Sequence, residues 1–101
     1  MKEIIAQLNK IFENKVRLGI MSALMVNEKI DFKELKSLLD ITDGNLSSNA
    51  SVLEKEKYIK IKKKFIGKKT STIYSATDAG KIAFKEHLSA LEKIIKNTLI
   101  K

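Results

Sequence analysis

The spacing of apolar residues changes period twice along this chain, and those two changes leave few folds open. Up to Tyr58 the apolar positions recur every three or four residues, as along one side of a helix; from Ile59 to Ala76 they alternate; beyond Thr77 the helical spacing returns. One alternating stretch split by Gly67-Lys68-Lys69 makes a single β-hairpin. A lone hairpin is too little sheet to bury a core of its own. The helices must supply most of the core, so the expected fold class is α+β and mostly helical, with a two- to three-stranded sheet and a long C-terminal helix.

Helical segments are legible on both sides of the hairpin. The first runs from Lys2 to about Phe12, with Ile4, Ile5, Leu8, Ile11 and Phe12 on one stripe. The second opens at Asn14, whose side-chain oxygen suits a helix cap, and ends near Asn27. Val16, Leu18, Ile20, Met21, Leu24 and Met25 make it apolar on several sides, which places it centrally. Asp31 followed by Glu34 has the form of a capping box for a third helix with Phe32, Leu35, Leu38 and Leu39 on one face, ending at Asp40. Thr42 caps a fourth helix, Asp43 to about Lys57, with an acid in the first turn where the helix dipole favours one. In the hairpin, Ile59, Ile61, Lys63 and Phe65 alternate with Lys60, Lys62 and Lys64, and the return strand runs from Thr70 to Ala76. Thr77 and Asp78 open a last helix that runs to the end, with Phe84, Leu88, Leu91, Ile95 and Leu99 on one stripe. There is no proline and no linker-like stretch, so residues 1–101 are expected to form a single domain.

Charge then narrows the partner. The chain carries a net charge of +8, and between Lys55 and Lys69 eight lysines stand against the single acid Glu56, so that seven of the eight net charges lie there. Such a concentration favours a polyanion. Directly before it, the fourth helix turns Leu46, Ala50 and Leu53 to one side and Asn45, Ser47, Ser48, Asn49 and Ser51 to the other. Exposed helix faces ordinarily carry Glu and Lys, which form helices better than Ser and Asn. A face of small, neutral hydrogen-bonding groups is suited to base edges: Asn pairs bidentately with adenine, and Ser bonds any base. Taken singly, the first feature is an ordinary charged edge strand and the second a solvated face. Side by side they point to duplex DNA, with Asn45, Ser47, Ser48, Asn49 and Ser51 reading bases and Lys55, Lys62, Lys64, Lys68, Lys69 and Thr70 holding phosphates.

Other chemistries find little support. There is no cysteine and one histidine, His87, so neither a thiolate nor a histidine cluster is available for a metal, and no catalytic residue or cofactor is expected. His87 reads as a surface or interface residue. Asp31, Glu34, Asp40 and Asp43 fall at helix ends, where they serve as caps, and Gly44 and Gly67 belong to no phosphate-binding glycine pattern. For Arg17, the single arginine, an ion pair with Glu13 and a phosphate contact are both open. No apolar run approaches the ~18–20 residues that span a bilayer, and the N-terminal residues mix acids and bases at helical spacing, unlike an export signal. The expectation is a cytoplasmic protein without a membrane partner.

The run Phe32-Lys-Glu-Leu35, Thr42-Asp-Gly-Asn-Leu-Ser47, Leu53-Glu54, Tyr58-Ile59, Phe65-Ile-Gly67, Thr72, Tyr74 and Thr77-Asp-Ala-Gly80, with Arg17-Leu-Gly-Ile-Met21 before it, resembles the small stand-alone winged-helix regulators related to the MarR and ArsR groups. The resemblance covers roughly residues 8–96. It implies a winged helix-turn-helix in which residues 43–57 form the recognition helix in the major groove, Lys68 and Lys69 sit at the wing tip, and the terminal helices, 1–12 and 78–101, make a dimer interface. Asn49 and Ala50 stand where many relatives have His and Leu, Lys57 replaces the usual Gly, and the wing tip lacks their arginine.

The expected function is therefore sequence-specific duplex DNA binding by a transcriptional regulator, a repressor, acting as a homodimer on a palindromic operator. Ile4, Leu8, Ile11, Leu88, Leu91, Ile95 and Leu99 are the expected dimer contacts, because the last helix outreaches a compact body of this size. The alternative is a winged-helix interaction module whose lysines grip an acidic protein instead of DNA.

Overall fold

The computed structural model describes residues 1–99; Ile100 and Lys101, the last two positions of the expected final helix, lie outside the described residues. The elements are α1 (Lys2–Ala6), a short 3-10 turn (Lys10–Phe12), α2 (Lys15–Val26), β1 (Ile30–Asp31), α3 (Phe32–Leu39), α4 (Asp43–Lys55), β2 (Ile59–Ile66), β3 (Lys69–Ala76) and α5 (Asp78–Leu99). The caps read from sequence form as hydrogen bonds. Asn14 Oδ1 accepts from the Val16 and Arg17 N–H groups at 2.9 and 3.0 Å, Asp31 Oδ1 from Glu34 N–H at 2.8 Å, and Thr42 Oγ1 from Asn45 N–H at 3.1 Å. Each satisfies a backbone donor that the first turn of a helix leaves unpaired.

The first helix is shorter than its stripe implies. It stops at Ala6, and the chain unwinds through Gln7–Asn9 before the 3-10 turn. Asn9 is responsible: its N–H donates to His87 Nδ1 at 2.9 Å, its Nδ2 to the Tyr58 hydroxyl at 3.0 Å, and its Oδ1 accepts from Ile11 N–H at 3.0 Å. A continuous helix would forfeit these bonds. His87 is thus buried within the chain and not the surface or interface residue expected of it; removal from water lowers its pKa, which keeps the imidazole neutral and Nδ1 an acceptor.

α2 runs through the middle, and its Ile20, Met21 and Leu24 share one core with Leu35 of α3 and Leu46 and Leu53 of α4. Phe12 stacks on Tyr58 with ring centroids 5.3 Å apart and meets Phe84 edge-on at 5.1 Å, which ties the start of the chain to α5. The sheet has the order β1-β3-β2, all antiparallel, with Tyr74 opposite both Ile30 and Ile61.

The exit from α4 is a Schellman turn: Tyr58 N–H donates to the Leu53 carbonyl at 3.0 Å and Lys57 N–H to the Glu54 carbonyl at 2.9 Å. Lys57 takes the left-handed position, φ 65°, that a glycine would occupy without strain. Thr77 secures the turn from outside. Its hydroxyl donates to the Lys57 carbonyl at 2.7 Å, its N–H donates to the Tyr58 carbonyl at 3.0 Å, and its Oγ1 accepts from Gly80 N–H at 2.9 Å to start α5. The packing is so close that a methyl group on Gly80 would lie 2.0 Å from the Tyr58 carbonyl oxygen.

From this junction two elements leave the body, which gives the molecule extents of 58 × 25 × 21 Å. The hairpin is buried at its root and exposed at its tip. α5 likewise begins in the core and ends in solvent. Of the expected dimer contacts, Ile4, Leu8, Ile11 and Leu91 are half-buried against the chain itself, whereas Leu88, Ile95 and Leu99 are exposed. Gln7 Oε1 accepts from Lys93 Nζ at 3.2 Å where α1 meets α5.

Candidate nucleic-acid interface

Leu46, Ala50 and Leu53 anchor α4 in the core, so the opposite side of the helix is fixed outward. Its exposed face carries Gly44, Asn45, Ser47, Ser48, Ser51 and Lys55. With 3.6 residues per turn, Gly44, Ser48, Ser51 and Lys55 lie centrally, flanked by Asn45 on the α2 side and Ser47 on the wing side. A side chain at Gly44 would meet nothing within 4 Å, so the protein itself does not require a glycine there. The outward helix backbone is bare at that point, and another molecule could approach it closely.

Asn49 departs from the expected arrangement. It is only 8% exposed and turned inward. Its Oδ1 accepts from Arg17 Nη1 at 2.9 Å, and its Nδ2 donates to the Asn45 carbonyl at 3.0 Å and to Asn45 Oδ1 at 2.7 Å. Arg17 is held from its other side by the Ile11 carbonyl, 2.7 Å from Nε. Of the two roles left open for Arg17, the ion pair with Glu13 does not form: its guanidinium is bonded to the Ile11 carbonyl and to Asn49 instead. The signal for Asn49 was present in the sequence, since position 49 falls among 46, 50 and 53 on a helical wheel.

The hairpin's alternation decides which lysines share a side with α4. Ile59 and Ile61 face the core, and Lys63 and Phe65 continue the same face, paired across the ladder with Thr72 and Thr70. A cleft between α4 and the wing is lined by Ser47, Ser51, Glu54, Lys63 and Thr72 among others. Lys62 and Lys64 fall on the opposite face, where with Lys29, Lys60, Asp31 and Glu34 they border a separate groove. Lys63, which breaks the apolar pattern, lines the cleft on the α4 side of the wing and was missed by sequence reasoning as a candidate; its parity with Ile59 and Ile61 was the available clue. At the tip Lys68, Lys69 and Thr70 are all exposed, beside the bare side chains of Phe65 and Ile66. At the base of the cleft, burial and then the nearby Glu54 carboxylate push the Tyr74 phenol up from its usual value, so it stays a neutral part of the wall. Lys36 Nζ lies 2.6 Å from Asp43 Oδ1 and bridges the turn from α3 to the start of α4.

Among the described residues no group of three or more His, Cys, Asp or Glu side chains is placed to hold a metal ion, and no helix is long and apolar enough to cross a membrane.

The family described as the winged helix DNA-binding domain matches residues 16–95. An uncharacterised protein of Methanocaldococcus jannaschii is 35% identical over 88 residues, covering 87% of this chain and 96% of its own length. The structure of a transcriptional regulator homologue from Pyrococcus horikoshii OT3 superposes with a TM-score of 0.83 at 38% identity, covering 95% of this chain and 93% of that one. A MarR family transcriptional regulator from Streptomyces coelicolor, solved in complex with DNA, shares the fold at a TM-score of 0.67 and 18% identity, with 97% of this chain and 68% of that one covered.

Proposed function

The chain belongs to the winged helix DNA-binding domain family, and on that premise we propose that it is a sequence-specific, duplex-DNA-binding transcriptional regulator. In this reading residues 1–101 are one domain, working in the cytoplasm as a homodimer that represses transcription from a palindromic operator. No catalytic step and no cofactor enter it. The observation that carries the reading is the adjacency of two unlike surfaces: the short, neutral, hydrogen-bonding outer face of α4, and the lysine-rich wing that begins one turn after it.

α4 enters the major groove with its exposed face against the bases. Asn45, Ser47, Ser48 and Ser51 meet base edges, and Lys55 meets the backbone. Lys63, Lys68, Lys69 and Thr70 hold phosphates along the flank, and Lys62 and Lys64 add to the field from the far face of the wing. The exposed Phe65 and Ile66 suit the apolar wedges with which proteins open the minor groove. Exposed Leu88, Ile95 and Leu99 support a two-fold partner, which would set two copies of α4 one duplex turn, ~34–36 Å, apart.

The test is selection of bound fragments from a genomic library, followed by titration of the enriched duplex at several salt concentrations. The expected result is a short inverted repeat whose log K falls by about 0.9 per phosphate contact for each log unit of salt. Failure to retain any duplex at low salt, with retention of an acidic protein instead, would overturn the reading.

A further inference from the structure

We infer that Arg17 and Asn49 are positioning residues that fix the polarity of the Asn45 side-chain amide, so that Asn45 offers N–H donors to the groove and reads guanine. The inference rests on the DNA-binding reading above and adds the base class read at one position.

An arginine guanidinium only donates hydrogen bonds. The atom of Asn49 that lies 2.9 Å from Arg17 Nη1 must therefore be the amide oxygen, and the nitrogen must point the other way. That nitrogen lies 2.7 Å from the side-chain amide of Asn45 and can only donate there, so the Asn45 atom facing it is the oxygen. The same Nδ2 also donates to the Asn45 carbonyl at 3.0 Å, which holds Asn49 in register one turn along α4. The polarity of two amides thus follows from one cation, and that cation is clamped from behind by the Ile11 carbonyl. Asn49 is buried and Asn45 exposed, so the relay ends at the surface with Asn45 Nδ2 outward.

An asparagine reads adenine by presenting its oxygen and nitrogen together, accepting from N6 and donating to N7. With its oxygen turned inward to Asn49, Asn45 keeps only donors for the groove. Guanine is the base whose major-groove edge presents two adjacent acceptors, N7 and O6. This replaces the adenine reading that the residue type alone suggests.

The experiment is selection from randomised duplexes with the wild-type chain and with Asn45→Ala, Asn49→Asp and Asn45→Asp, with thermal unfolding and a salt titration for each. Asn49→Asp keeps the size and still accepts from Arg17, but it can no longer donate, so the Asn45 amide should turn over and present its oxygen. Asn45→Asp presents an oxygen directly while still accepting from Asn49. Both variants should exchange guanine, at the same single position of each half-site, for a base whose edge donates, cytosine through N4 or adenine through N6. The change in discrimination there should be about tenfold or more. Asn45→Ala should lose preference at that position alone. For Asn49→Asp the lost bond to the Asn45 carbonyl should lower the melting temperature modestly, but unfolding should stay cooperative and the salt slope close to wild type, which a loss of structure would not leave untouched. An unchanged selected sequence for Asn49→Asp, or one that Asn45→Ala does not alter, overturns the inference while leaving DNA binding intact. If the wild-type chain selects no sequence, the DNA-binding reading falls, and this inference falls with it.

Discussion

Phe84 and Ile95 sit on the same stripe of α5 about three helical turns apart, yet Phe84 is 1% exposed and Ile95 51%. The hairpin shows the same contrast on one face of β2, with Ile59 2% exposed and Phe65 82%. In both elements the half next to the Tyr58–Thr77 junction packs within the chain, while the far half leaves large apolar side chains exposed, Ile95 and Leu99 on α5 and Phe65 and Ile66 on the hairpin. Periodicity predicts that a face will be covered, but not by what. The near halves make the fold, and in the proposed function the far halves are what the molecule offers to a second copy and a duplex.

Truncating the near half should have the largest effect. Phe84→Ala removes an enclosed ring that meets Phe12, and should cost about 3–5 kcal/mol of stability in urea unfolding; a loss under 1 kcal/mol would erase the contrast drawn along α5. Charging the far half should leave the fold standing and change its company. Ile95→Glu with Leu99→Glu is expected to give a folded monomer by sedimentation, with operator affinity reduced by about 100-fold because the second half-site no longer adds avidity. Monomeric wild type at tens of micromolar would mean that α1 and α5 suffice for each other.

At the wing tip the expected change is smaller and uniform. Lys68→Ala with Lys69→Ala should weaken specific and random DNA alike and flatten the salt slope by about 1.8 per protomer, two contacts at 0.9 each, without moving the melting temperature. The smallest effect has opposite signs in its two readouts. Gly44→Ala adds a methyl into open space on a helix and should raise stability by about 0.5–1 kcal/mol, while lowering DNA affinity severalfold because, in the proposed docking, that methyl would stand where the helix backbone meets the duplex. A gain in both would mean that α4 docks elsewhere along its length.

What was legible in the sequence was local. The caps at Asn14, Asp31 and Thr42 bond to backbone groups two or three residues away, so spacing alone reveals them. The hairpin and the inward face of α4 follow from periodicity for the same reason. What was not legible is held by distant partners. The break after Ala6 depends on Asn9 finding His87, 78 positions on, and Tyr58, 49 positions on. The burial of His87 has the same source. β1 is two residues long and exists only because β3 pairs with it. Among the candidate site residues, the serines of α4 and the tip lysines lie outward as their spacing implies. Asn49 and Arg17 were obscured because each was weighed by residue type, when what defines them is the bond between them.

The junction has a consequence for accuracy of assembly. Both surfaces proposed to grip a duplex are measured from Tyr58: α4 ends in a turn closed by its N–H, the wing starts at the next residue, α5 is set against its carbonyl, and Asn9 of the leading segment holds its hydroxyl. In engineering language, Tyr58 is the datum of the molecule. Errors in placing α4, the wing and the terminal segments are each referred to one point and do not accumulate along the chain. A small protein can thereby hold two contact surfaces in fixed alignment without a larger scaffold behind them.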